Sequence, residues 1–316
     1  MSFALQPFEP LTVGIRRLLD EQLAGVVLHL LAQADPATDR ADPVESVHEA
    51  RKCLKRSRTL VRLLRRALGR SQAQALNARL RAVAQRLSSY RDQHMLHEAL
   101  DRLAKQTASS PFAEALPPIQ AALRGRQPVQ PLAEDLLQWI VPEVRAIAAA
   151  LQQELLPLRE GSLRASLQAG LRRMLRRGQR AYFLAYSEPT DEHFHEWRKH
   201  VKDVYYTACL LHPTRPQKLA IWVDSLDPLS EDLGDEHDLG ILAKALASQP
   251  IGDEAATALT LRLIARRRED LRATARMGGE VLYQRSAKAA SRFLTRGLQP
   301  KKSAAGPSPR RRLPVH

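Results

Sequence analysis

"HEARKCLK", His48–Lys55, returns as "HEWRKHVK", His195–Lys202, with the His, the Glu, the Arg and both Lys in identical register. Reading outward, the recurrence extends. "GIRRLL" (14–19) precedes the first copy and "GLRRML" (170–175) the second, and Leu63-Leu64 is matched by Leu210-Leu211. Further on, "RDQHML" (91–96) is echoed by "HDLGIL" (237–242), which sets Asp92 opposite Asp238. Three blocks in one order in both halves are hard to obtain by chance. They read as a duplicated helical bundle whose halves are related by an approximate twofold axis.

Composition supports helices throughout. The 316 residues are 44% hydrophobic, Leu and Ala dominate, only 14 are Gly, and apolar positions recur at helical spacing, so the fold class is all-α. The spacing predicts helices over 10–34, 43–69, 72–107, 129–156, 162–187, 190–212, 215–232, 236–248, 252–277 and 281–297. Thr190 before Asp191 and Glu192, and Asp42 before Pro43, read as N-caps. Pro213 and Pro216 end the helix that Thr190 opens. The Pro-bearing stretch 108–131 is the expected boundary between a first half (about 11–125) and a second (about 129–298). Residues 1–10 are read as an extension, and 299–316 as a basic tail with too little to bury to fold.

The charge is lopsided. Lys and Arg number 49 against 34 Asp and Glu, a net +15. Such an excess repels itself in a compact fold and is usually offset by a polyanionic partner. Val47–Arg70 alone carries nine basic residues against one acid, Glu49. On a helical wheel Lys52, Lys55, Thr59, Arg62 and Arg66 fall within about 40° of His48, with Arg51 and Arg58 flanking and an apolar face opposite. In the second copy His195, Lys199, Lys202 and Tyr206 share a face, beside Arg198 and Tyr205. Upstream, Arg173, Arg176, Arg177 and Arg180 stand at i, i+3, i+4 and i+7, where like charges each cost a few tenths of a kcal/mol unless an anion neutralises them. Lys288 belongs to a later basic group. A single basic stripe is ordinarily a solvated face; one that recurs in a second copy reads as two facing walls. His48 and His195 head these rows either as phosphate-facing or as structural residues, and Asp92 and Asp238 order nearby Arg or Lys.

Other chemistry is weakly represented. HExRK has Lys52 or Lys199 where a zinc-protease helix needs its second histidine, and no Gly-rich phosphate loop or nucleophile elbow is present. "GDEHD" (234–238) is acidic enough to interest a divalent ion, but turn and cap chemistry explains it as well. No catalytic residue, metal or cofactor is expected. Cys53 and Cys209 read as buried thiols in a reducing compartment. With 5% aromatic residues, stacking platforms for single-stranded nucleic acid are poorly supported, which leaves weak phosphate-backbone contacts. Neither a signal sequence nor a 20-residue apolar run is visible, so a cytoplasmic protein without membrane association is expected, as monomer or homodimer.

The HExRK helix with its Lys/Arg ladder, the second copy "DEHFHEWRKHVKDVYY", the upstream "LRRMLRRGQRA" and the block "LGDEHDLGIL" resemble a CHAD domain (conserved histidine α-helical domain) from about Leu11 to about Leu298. The resemblance implies two four-helix bundles enclosing a basic central cavity, binding of inorganic polyphosphate, and association with polyphosphate granules. Carried onto matching positions, it assigns phosphate contacts to Arg51, Lys52, Lys55, Arg58 and Arg62, and to Arg198, Lys199 and Lys202 with Arg173, Arg176, Arg177 and Arg180. The second row departs from the first: Asp203, Tyr205 and Cys209 stand where Arg56, Arg58 and Arg62 do. Some relatives carry a triphosphate tunnel domain upstream; the ten residues before the first helix do not supply one. A nucleic-acid-associated protein and an enzyme acting on phosphate polymers are the alternatives.

Overall fold

The computed structural model describes residues 3–32, 43–110, 113–125, 132–248 and 253–298, with the backbone alone at 89 and 91–94. The expected cap Asp42, the side chain of Asp92 and the tail from 299 lie outside the described residues. Every regular element among those described is helical. The order is α1 (Leu11–Leu31), α2 (Pro43–Leu63), α3 (Arg70–Arg86), α4 (Ser89–Gln106), α5 (Leu116–Arg124), α6 (Glu134–Leu155), α7 (Glu160–Ser187), α8 (Asp191–Leu211), α9 (Pro216–Ser248), α10 (Glu254–Tyr283) and α11 (Ala287–Leu294).

Local chemistry sets the key boundaries. Thr190 caps α8, its hydroxyl accepting from the His193 amide at 3.2 Å, and Asp191 and Glu192 follow in the first turn. α8 ends at Leu211 because His212-Pro213 tightens into a 3₁₀ turn and Pro216 opens α9. Gly69 separates α2 from α3 at φ 84°, a left-handed conformation open to glycine.

Three elements differ from the spacing-based expectation. The range 72–107 breaks at Leu87-Ser88 into α3 and α4, where Ser88 turns its hydroxyl onto the Gln85 carbonyl. The ranges 215–232 and 236–248 fuse into one 33-residue helix, α9, which runs through Pro228. The stretch 108–131 contains α5, which packs on α4 and α10.

α1 packs on α2 and α6, α3 on α2 and α6, α7 on α8, and α9 on α8 and α10. Buried apolar side chains form two clusters that do not follow the repeat boundary. The larger runs from Phe3 to Leu294 through both repeats, with Trp197, Phe194, Leu54 and Leu64 fully enclosed. The smaller joins α4 and α5 of the first repeat to the C-terminal part of α9 and the N-terminal part of α10, around Leu103, Ile119, Leu242 and Ile264. The repeats therefore interlock. The segment before α1 is part of this: Phe3 and Leu5 are 4% exposed, and the Leu5 amide donates to the Leu210 carbonyl at the end of α8.

A cationic band between the repeats

Helices α2 and α8 turn their basic stripes toward each other. The contact is built on the position that breaks the second row. Asp203, 7% exposed, accepts from the Thr59 hydroxyl at 2.8 Å and pairs with the Arg62 guanidinium. The shorter second row thus has a structural cause: α8 gives up one cation to anchor one from α2. Arg62 also reaches Asn77 of α3, as does Arg58, whereas Arg51 donates to the Ala84 carbonyl of α3. Arg51 and Arg58 therefore lean along α2 toward α3. Burial, followed by the Arg62 charge, brings Arg58 down to about 10, still protonated at neutral pH.

In both copies the Glu of HExRK holds the Lys three residues on: Glu49 with Lys52 and Glu196 with Lys199, each at 2.9 Å. Half-buried His48 lends its charge to Glu49. The centre of the band lies nearer the second copy. The His195 ring stacks on His237 of α9, centroids 4.3 Å apart. Burial, then the charges of Lys199 and Arg198, brings the His195 imidazole down to about 4. Burial, then Arg198 and His195, brings His237 down to about 3. Lys55 of α2 acts on both rings. One cation from the first repeat, Lys55, and two of α8, Arg198 and Lys199, therefore converge on a pair of neutral imidazoles.

The band continues along α8 to α7. His200 is held down by burial against the pull of Asp203 and Glu196, and the Arg177 and Arg62 charges add to the effect. Arg173 donates to the Arg62 carbonyl at 2.9 Å, satisfying an orphan at the end of α2. It too is lowered, first by burial and then by Arg65, Arg177 and Arg176. Gly170 makes this approach possible: a Cβ there would lie 2.6 Å from the Leu63 carbonyl oxygen. Nδ1 of His195, Nδ1 of His200 and Nε of Arg62 are buried without a hydrogen-bond partner. Unsatisfied polar atoms in a row of cations form a surface able to receive anionic oxygens.

Four expected contacts lie elsewhere. Tyr206 is 6% exposed and belongs to the core, edge-on to Phe3 at 6.2 Å with the Arg56 guanidinium over its ring. Its hydroxyl is pushed up to about 12 by burial, so the residue is a packing element and not a wall of the site. Lys202 lies over the Tyr205 ring at 5.4 Å, lowered by burial and by Arg198 and countered by Asp227 and Glu231. Lys288 lies on α11, across a groove from Arg172 and Arg176. Arg180 is exposed further along α7.

His237 and Arg65 are in the band although neither was singled out from sequence. His237 stands inside the repeated block "HDLGIL", beside Asp238, but no spacing rule says that α9 lays it on the first turn of α8. The carboxylates nearby are committed. Asp238 pairs with Arg102 of α4 at 3.0 Å, and Glu236 of "GDEHD", 2% exposed, accepts from both Arg268 and Arg272. Asp191 joins that pair; burial would raise its carboxyl, but Arg268 and Lys244 outweigh it and hold it at about 2. No described helix is long and apolar enough to cross a membrane.

Comparison with known proteins agrees with this architecture. The CHAD domain model matches residues 21–247. The crystal structure of the CHAD domain from the plant Ricinus communis superposes with a TM-score of 0.56 at 18% identity, covering 89% of this chain and 95% of that one. No curated protein matches the sequence.

Proposed function

Because the chain belongs to the CHAD domain family, we propose that it binds inorganic polyphosphate along the band between α2, α8 and α7, as a protein of polyphosphate granules. The observation that carries the reading is the convergence of Lys55 with His195, Arg198, Lys199 and His237, extended through Arg62, Arg177 and Arg173. Rows of cations whose central rings, His195 and His237, stack on each other suit a ligand that offers only phosphates. Of the carboxylates that face this row, Asp203 is engaged by Arg62 and Thr59 and Glu196 by Lys199. The role is binding without turnover: Asp191, Glu236 and Asp238 are all spent on arginine pairs. Attraction is electrostatic, so affinity falls with salt and rises with chain length.

The test is Lys55→Ala with Arg177→Ala and Lys199→Ala, titrated with long-chain polyphosphate. A charged hydrogen bond contributes about 1.5 kcal/mol at the low end, so the triple variant loses on the order of 1000-fold in affinity with helicity unchanged. Unchanged affinity sinks the assignment. Phosphate release during prolonged incubation with Mg²⁺ sinks the claim of binding without turnover.

A further inference from the structure

α7 carries a second basic edge that the band does not use. Arg173 turns toward α2, whereas Arg172, one position and about 100° around the helix, faces α11. Two concavities lie there, of about 600 and about 160 Å³, and they share Arg172 and Lys288. Together they form one groove. Its α7 side runs from Ala165 to Gln179, about 21 Å at 1.5 Å per residue. The opposite side is the edge of α11, from its cap Ser286 to Arg292. Small side chains such as Ala165, Ala169 and Ala287 leave the space open, and Arg66, Arg172, Arg176, Lys288 and Arg292 provide the charge.

No carboxylate lines either concavity. Among the described residues none of those five cations makes a hydrogen bond or an ion pair. Arg17, Arg79, Arg102, Arg268 and Arg272, by contrast, are each tied to carboxylates. What sets the five apart from arginines unpaired elsewhere among the described residues, such as Arg180 and Arg266, is that they share one groove. Five uncompensated cations around one groove repel one another, and the arrangement is stabilised by a polyanion. The first turn of α11 adds the backbone amides of Ala287 and Lys288, while Ser286 already caps that of Ala289. Arg176 links the two surfaces, since it lines the groove and also lowers Arg173 in the band.

We infer that the α7–α11 groove is an accessory anion site that takes the part of a phosphate chain extending beyond the band. The inference rests on the polyphosphate reading and assigns the groove the selection of long chains. A groove of this length accommodates several successive phosphates, so a single orthophosphate leaves most of its cations unmatched.

The experiment compares wild type with Arg66→Ala/Arg172→Ala/Arg292→Ala, three exposed positions outside the band, and with Lys55→Ala/Lys199→Ala inside it. Each is titrated with polyphosphate of a few units and with a long chain, at equal total phosphate and with thermal unfolding as the folding control. The groove variant should keep short-chain affinity within twofold and lose tenfold or more for the long chain, whereas the band variant should weaken both. Equal loss for both lengths, or none for the long chain, overturns the groove. A silent band variant beside a crippled groove variant instead overturns the band and leaves the groove as the primary site. Single-stranded RNA is the control ligand: loss of RNA binding with polyphosphate binding intact also overturns the inference.

Discussion

Asp203 offers a perturbation whose effects on stability and on binding run in opposite directions. Its side chain is 10% exposed and pairs with Arg62, which is 32% exposed, while Thr59 donates to the same carboxylate from a fully buried position. Asp203→Asn keeps the shape and a carbonyl oxygen for Thr59 but leaves the Arg62 charge uncompensated. Breaking a buried pair costs about 3–5 kcal/mol. Arg62 retains about a third of its surface in water, so about 2–3 kcal/mol applies here. At about 2 °C per kcal/mol for a chain of this size, Tm falls by about 4–6 °C. The same change removes a repelling charge from the anion surface. A phosphate docked on Arg62 about 7 Å from Asp203 feels roughly 2 kcal/mol at an effective dielectric of 20, of which salt leaves about 1. Polyphosphate affinity should therefore rise about fivefold. Differential scanning calorimetry and isothermal titration on one preparation give both numbers, and Arg62→Gln supplies the control that loses stability and affinity together. Weaker binding by Asp203→Asn, or an unchanged Tm, refutes the reasoning.

The remaining predictions concern protons and packing. His195 and His237 lie at about 4 and about 3, against about 6.5 unfolded. As pH falls below 6.5 the unfolded chain takes up protons that the folded one refuses, so apo stability declines from about 6.5 toward 4. A bound polyanion favours the imidazolium forms, so affinity should rise, with net proton uptake, as pH falls toward the unliganded values of about 4 and about 3. Titrations in buffers of different ionisation enthalpy measure that uptake, which His195→Asn/His237→Asn should abolish. Gly170→Ala places a Cβ against the Leu63 backbone and should cost about 1–3 kcal/mol by denaturant unfolding. Gly14→Ala, its counterpart in the first repeat, meets only the movable ends of Glu9 and Leu5 and should cost less.

The all-α class and the faces of α2 and α8 were legible because their apolar and basic residues separate cleanly at the helical period, and the repeat supplied the pairing of the two rows. The kink at Leu87-Ser88 and the continuity of α9 were not. A Ser-Ser pair is a weak breaker beside Pro228, yet the helix broke at the serines and ran through the proline. The Asp224 carbonyl that Pro228 leaves without a donor belongs to an exposed residue, so water can satisfy it, while α8 and α10 both pack on the helix and favour its continuation. Arg173 was legible as a cation but not as the link to the end of α2, which depends on Gly170. Tyr206 misled because it shares a wheel sector with Lys199. That sector continues from the band into the core, and the wheel does not show where Phe3 packs.

Competition is the most direct test of the account. Labelled long-chain polyphosphate bound to the wild-type chain is challenged with duplex DNA, RNA and unlabelled polyphosphate at equal phosphate concentration and physiological salt. The account predicts that only polyphosphate displaces the label efficiently, because the band offers rows of cations and its central rings, His195 and His237, stack on each other. Displacement by RNA or DNA as effective as that by polyphosphate would contradict it.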